Sequence, residues 1–143
     1  MYYVNHEQIN VRLQFLPTLS LACRELTEQW QGEEGKLLLH LAQERVLHLA
    51  IETVTDIGSL LIDAFMMRDA SSYEDIIEIL AGERVFDEAT AQVLKRLVQL
   101  RRPLVQDFAS YPRESLHPLI GELPAVLTAF AEAVPAFISK EMV

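Results

Sequence analysis

Ile9, Leu13, Leu16, Leu19, Cys23 and Leu26 follow one another at intervals of three and four, the period of one helix face. The pattern predicts a first helix from about Glu7 to Trp30. Pro17 lies inside it and is expected to kink it or to mark a broken turn. Gln31-Gly32-Glu33-Glu34-Gly35 is the first clear break. The longest apolar stretch follows and predicts a second helix over about Lys36 to Met67. A short third helix is expected from Ser72 to Ala81, where Ser71 and Glu74 have the form of a capping box. Gly82 to Phe86 reads as a turn, and Asp87 as the N-cap of a fourth helix reaching about Ser110. Pro112 pushes Tyr111 out of helical space. A fifth element fills Arg113 to Glu141, and Pro118, Pro124 and Pro135 predict that it is kinked or broken. The fold class is therefore all-α: an antiparallel bundle of about five helices, one domain over 1–143, without internal repeat or low-complexity segment.

The second helix carries a polar stripe. With about 100° per residue, Arg45, His48, Glu52, Asp56, Ser59 and Asp63 fall within roughly 80° of the wheel. Leu47, Ile51, Val54, Ile57 and Leu61 lie outside that sector. Three readings are open. The stripe faces water. Or it belongs to an ion network, because Glu52 and Asp56 sit one turn apart and repel unless a cation lies between them. Or His48, Glu52 and Asp56 hold a metal, although side chains at single-turn spacing converge poorly on one ion without a second helix. No metal and no cofactor is expected.

Composition narrows the class. The chain has 143 residues and is 50% hydrophobic, enough for one core. Its first ten residues are polar, unlike a signal peptide. The longest uncharged run, Leu13 to Cys23, is too short to cross a bilayer. Cys23 is the single cysteine, so no internal disulfide is expected, and the usage suits a cytoplasmic protein. Five glycines leave little material for a phosphate loop. The net charge of −9 disfavours non-specific nucleic-acid binding. The charge is uneven, however. Residues 84–113 carry six basic and three acidic side chains, so they bear +3 and the remainder −12. That stretch is either a solvated helix face or a phosphate-facing patch centred on Arg101 and Arg102.

Glu44-Arg45-Val46-Leu47-His48-Leu49-Ala50-Ile51-Glu52, then Asp56-Ile57-Gly58, then Ser72-Tyr73-Glu74-Asp75-Ile76-Ile77-Glu78-Ile79-Leu80, together resemble the HepT-like family. The opening Met1-Tyr2-Tyr3-Val4-Asn5 is similar as well, and the resemblance runs over nearly the whole length. It implies a helical bundle that pairs as a two-fold homodimer. It also implies a metal-independent ribonuclease toxin, partnered by a minimal nucleotidyltransferase antitoxin that transfers AMP onto a motif tyrosine. The family motif is an arginine, usually followed by asparagine, then a short spacer, a histidine, any residue and the tyrosine.

The matching stretch here is Arg101-Arg102-Pro103-Leu104-Val105-Gln106-Asp107-Phe108. Arg101 keeps the arginine place, and Arg102 stands where asparagine is usual. Gln106 replaces the histidine and Phe108 the tyrosine. Histidine exchanges protons near neutral pH, whereas a glutamine amide does not titrate. Loss of such a group typically costs about 10²–10⁴ in rate. Phe108 has no hydroxyl to modify; Tyr111 could substitute only if the helix end bends towards the site. Pro103 cannot sit comfortably against the Gln99 carbonyl.

These residues leave three functions open. One is a dimer-forming, partner-binding protein without ribonuclease activity. The second is a weakened ribonuclease using Arg101, Arg102 and a relocated group such as Asp107 or His48. The third is a nucleotide- or phosphate-binding module at Arg101–Arg102. On the simplest structural reading Phe108 is core, Gln106 a satisfied polar residue and Arg101 a salt-bridge partner. Burying an arginine requires an acid, so Arg101 or Arg102 is expected to meet Glu52 or Asp56, within the chain or across the dimer. Binding to a membrane is not expected.

Overall fold

The computed structural model describes residues 2–30, 36–113 and 115–143. The break expected at 31–35 lies outside them. Among the described residues there are helices and no strand. The helices are α1 (His6–Gln29), α2 (Leu37–Ala64), α3 (Tyr73–Gly82), α4 (Glu88–Val98), α5 (Arg101–Val105) and α6 (Pro118–Glu141), with a 3-10 turn at Phe108–Ser110. Five are substantial; α5 is little more than one turn.

α2 is the hub. It packs on α1, α3, α4 and α5, while α6 closes the other side against α1 and α4. The reason is its apolar face. Leu47, Ile51, Val54, Ile57 and Leu61 are wholly buried, and they occupy the wheel sectors outside the polar stripe. Gly58 lets α3 approach. A Cβ there would collide with Ile76 Cγ2 and stand 3.1 Å from Leu80 Cδ1.

The caps follow side-chain chemistry. Asn5 accepts the Gln8 N–H at 3.2 Å and Asp87 accepts the Thr90 N–H at 2.8 Å. The cap of α3 is displaced by one residue from the expected Ser71–Glu74 box. Ser72 Oγ accepts the Asp75 N–H at 3.0 Å, and the Asp75 carboxylate accepts the Ser71 N–H at 2.9 Å. Arg68 also clamps that carboxylate at 2.7 Å, and the two hydrogen-bonding partners hold the Asp75 carboxyl well below the usual range.

Pro17, Pro124 and Pro135 do not break their helices. α1 runs through Pro17, and α6 runs through Pro124 and Pro135 without interruption. Pro17 and Pro135 are exposed, and each removes one backbone donor from its helix. Pro118 opens α6 at its first turn, where no backbone donor is needed; Arg113 and the described residues 115–117 therefore precede the helix rather than belong to it. Pro103 acts the other way. The expected fourth helix stops at Val98, and Pro103 becomes the third residue of α5, again a position whose N–H would have no intrahelical partner.

α6 is long and apolar enough to cross a bilayer by length and hydropathy. In this fold it carries Glu122 and Glu132 and lays Leu119, Leu123, Leu127, Phe130 and Val134 into the core.

Candidate functional site

The polar stripe of α2 divides between two neighbours. Towards α1, Asp56 accepts from Arg12 Nε at 3.0 Å. Towards α3 and α5, Glu52 meets two donors, and along α2 it faces an imidazole. His48 Nε2 lies 3.6 Å from Glu52 Oε1, Arg101 Nε lies 3.5 Å from the same oxygen, and the Tyr73 hydroxyl lies 3.4 Å from Oε2. The Arg101 guanidinium also stacks 4.0 Å over the Tyr73 ring, an arrangement that suits its planar, weakly hydrated cation. Glu52 and Asp56 each receive a separate arginine, which answers the repulsion between them.

His48 has a second partner. Arg45 Nη1 lies 3.3 Å from His48 Nδ1. A guanidinium can only donate, so Nδ1 accepts and the ring proton of the neutral form sits on Nε2, facing Glu52. Arg45 itself is exposed. Among the described residues it has no carboxylate within ion-pairing distance. His48, Glu52 and Arg101 are each about one-third open to solvent.

The motif segment lies differently from the expectation. Arg101 is the first residue of α5, Gln106 its C-cap and Phe108 the start of the 3-10 turn. Arg101 and Phe108 therefore do not share one helix face. Phe108 is 58% exposed and is not core. Gln106 is also exposed. Arg102 points outward and reaches Asp107 only at 3.9 Å. The turn is fastened to α2 by Arg113. Its Nη2 donates to the Phe108 carbonyl at 2.7 Å and to Glu44 Oε1 at 2.9 Å, and its Nε lies 2.7 Å from Glu44 Oε2. Tyr111 is half-buried beyond the turn, and burial together with Glu44 raises its phenol above the ordinary value, against Arg113.

Tyr73, Arg12, Arg113 and Glu44 were not singled out from sequence as site residues. Tyr73 had a signal: a tyrosine at the first turn of α3, where the adjacent Ile76 and Ile77 already define the core. Among the described residues no three His, Cys, Asp or Glu side chains are grouped to hold a metal; His48 and Glu52 turn to Arg45 and Arg101, and Asp56 turns to Arg12. Cys23 is wholly buried, and burial pushes its thiol up to about 11, which leaves it without thiolate character near neutrality.

The sequence pattern of the family described as "Ribonuclease HepT-like" matches residues 21–134. This chain belongs to the HepT-like family. It is 34% identical over 142 residues to the Bacillus subtilis (strain 168) protein named "Putative RNase YutE", covering 99% of this chain and 95% of that one. A solved structure of YutE from Bacillus subtilis, described as a cytosolic protein of unknown function, superposes with a TM-score of 0.85. That structural match has 31% identity and covers 99% of this chain and 95% of the other. The HepT-like assignment inferred from the residues of α2 and α3 thus holds over the whole bundle.

Proposed function

We propose that this HepT-like protein is a cytoplasmic, dimer-forming, partner-binding member of a ribonuclease-type toxin family, whose segment 101–108 does not carry the family's His/Tyr chemistry. The observation that carries this reading is the fate of the motif. Gln106 and Phe108 sit on an exposed turn, while Arg101 is engaged by Glu52 and Tyr73. An arginine so held has a structural reason to persist after the proton-transfer groups are gone. The homodimer is supported by apolar surface on one side of α2: Leu37, Leu38 and Leu41 are exposed, Leu38 by 79%. Exposed apolar clusters of this kind favour a partner. A minimal nucleotidyltransferase as antitoxin partner follows from the family resemblance.

A weakened ribonuclease is the second reading, and one observation favours it: His48 and Arg101 share a carboxylate oxygen. RNA degradation by the purified protein, beside a relative that retains the motif histidine and tyrosine, tests both. The expected result is RNA left intact over the time in which the relative consumes it. Cleavage at the relative's rate would overturn the main reading. Light scattering should give twice the 16.3 kDa chain mass, and Leu38→Glu with Leu41→Glu should give the monomer.

A further inference from the structure

Two hollows lie along the seam where α1 packs on α6. The first, of about 250 Å³, has Leu16 and Leu127 in its wall; the second, of about 320 Å³, has Ile120 and Pro124. Arg24 lines both, so they form one trough. The α1 edge of the trough is Pro17, Leu21, Arg24 and Glu28, all exposed and spaced four, three and four apart. The α6 edge is Gly121, Ala125, Thr128 and Glu132, exposed and spaced in the same way. That repeat is the one on which a further helix packs along its length, and from Pro17 to Glu28 it runs about 17 Å. Leu21 stands on it 55% exposed. The charges are ordered as well. Arg24 stands where the hollows join and, among the described residues, has no carboxylate within ion-pairing distance. Glu132 lines only the first hollow and Glu28 only the second. A nucleic-acid strand would meet two carboxylates for one guanidinium there, which disfavours it.

We propose that this trough receives an amphipathic helix of a protein partner, one whose apolar edge carries a carboxylate between two basic side chains. The proposal rests on the partner-binding reading given above, to which it adds the surface and the chemistry of what docks. Apolar side chains of the incoming helix fill the two hollows and cover Leu21, the usual way a helix lies in a groove, and their burial supplies the attraction. Its carboxylate meets Arg24, and its basic side chains meet Glu28 and Glu132. The order of charges sets register and selects the partner, because a helix with a lysine in the middle position sets like charge against Arg24.

The test uses the full chain and two fluorescent synthetic helices of leucine and alanine, each about four turns long. Both carry a lysine towards each end. They differ only in the middle of the leucine edge, where one has glutamate and the other lysine. Fluorescence anisotropy should show the glutamate-centred helix bound at least tenfold more tightly, against the pull of an acidic chain on the more basic peptide. Arg24→Glu should reverse that order, a gain that unfolding cannot produce. Leu21→Asp should weaken both helices, whereas Val11→Asp, on α1 outside the trough and 58% exposed in the wild type, should bind as the wild type does. Equal affinity for the two helices, binding of neither, or a preference that survives Arg24→Glu overturns the proposal. So does light scattering that finds a dimer in the wild type and a monomer in Leu21→Asp, because the trough is then a contact between copies. The partner-binding reading fails on a different measurement, RNA consumed at the rate of the motif-retaining relative, so the two failures are distinguishable.

Discussion

Arg101 and Glu52 stand 49 positions apart in the chain and meet at 3.5 Å. The sequence argument for that meeting was electrostatic: two carboxylates one turn apart on α2 needed cations, and the surviving motif arginine needed an acid. Both partners are about one-third exposed, so the pair belongs nearer the surface regime than the buried one. A double-mutant cycle with Glu52→Gln and Arg101→Gln should give a coupling of about 1 kcal/mol or less in urea unfolding. Arg101→Lys keeps the charge but loses the planar stack on Tyr73, and should be less stable than the wild type by a similar amount. A coupling near 3 kcal/mol would mean a site closed to water, and no RNA backbone could then reach it.

Gly58 marks where α2 and α3 touch. Alanine is favoured over glycine inside a helix by about 1 kcal/mol, so propensity alone predicts that Gly58→Ala stabilises. Contact predicts the opposite. The new Cβ meets Ile76 Cγ2, and a β-branched side chain in a helix has essentially one rotamer to offer. Overpacking costs typically about 1–3 kcal/mol. We expect a lower melting temperature for Gly58→Ala, with partial recovery in Gly58→Ala/Ile76→Ala.

His117 links stability to pH. It caps α6, its Nδ1 accepting the Leu119 N–H at 3.0 Å, which only the unprotonated nitrogen can do. Burial, then the charge of Arg96, lowers its pKa below 6.5, against Glu122. The folded state thus binds a proton less readily than the unfolded chain. Stability supplied by the neutral ring is complete above about 6.5 and is lost as the pH falls from there towards the lower folded value. Asparagine caps helices well without titrating. His117→Asn should therefore flatten the fall in melting temperature between pH 7 and pH 5. An unchanged slope would place the titration elsewhere.

How much was legible in the sequence differs from residue to residue. The core face of α2 was visible because Leu47, Ile51, Val54, Ile57 and Leu61 obey one period. Its polar stripe was visible too, though periodicity could not say that Glu52 would turn to α5 while Asp56 turned to α1. The prolines of α1 and α6 were expected to kink or break them, and neither helix is broken. α1 and α6 continue past Pro17 and Pro135, whereas α4 ends at Val98, ahead of Pro103 and its conflict with the Gln99 carbonyl. That break set Phe108 on an exposed turn. A phenylalanine in an apolar stretch looks like core until the helix carrying it ends. Tyr73 was legible as a neighbour of the α3 core, but an aromatic side chain beside isoleucines does not announce that an arginine will stack on it.

The ion pair that fixes the motif turn is Glu44–Arg113, and it should be the most costly of the described pairs to break. Glu44 is 13% exposed and Arg113 27%, against 79% and 59% for Arg102 and Asp107. Arg113 also donates to the carbonyls of Phe108 and Tyr111. Removing Glu44 leaves a largely desolvated guanidinium with only neutral acceptors. Breaking one side of a buried pair costs about 3–5 kcal/mol; an exposed pair is worth about 0–1 kcal/mol. Glu44→Ala should thus lose several kcal/mol in urea unfolding, and Asp107→Ala almost nothing. The loss should also be local before it is global. In Glu44→Ala, amide exchange at Ser110 and Tyr111 should accelerate more than exchange in the middle of α2. Equal losses in the two variants would show that the turn is held by the packing of Leu104 and Tyr111 rather than by the charge pair.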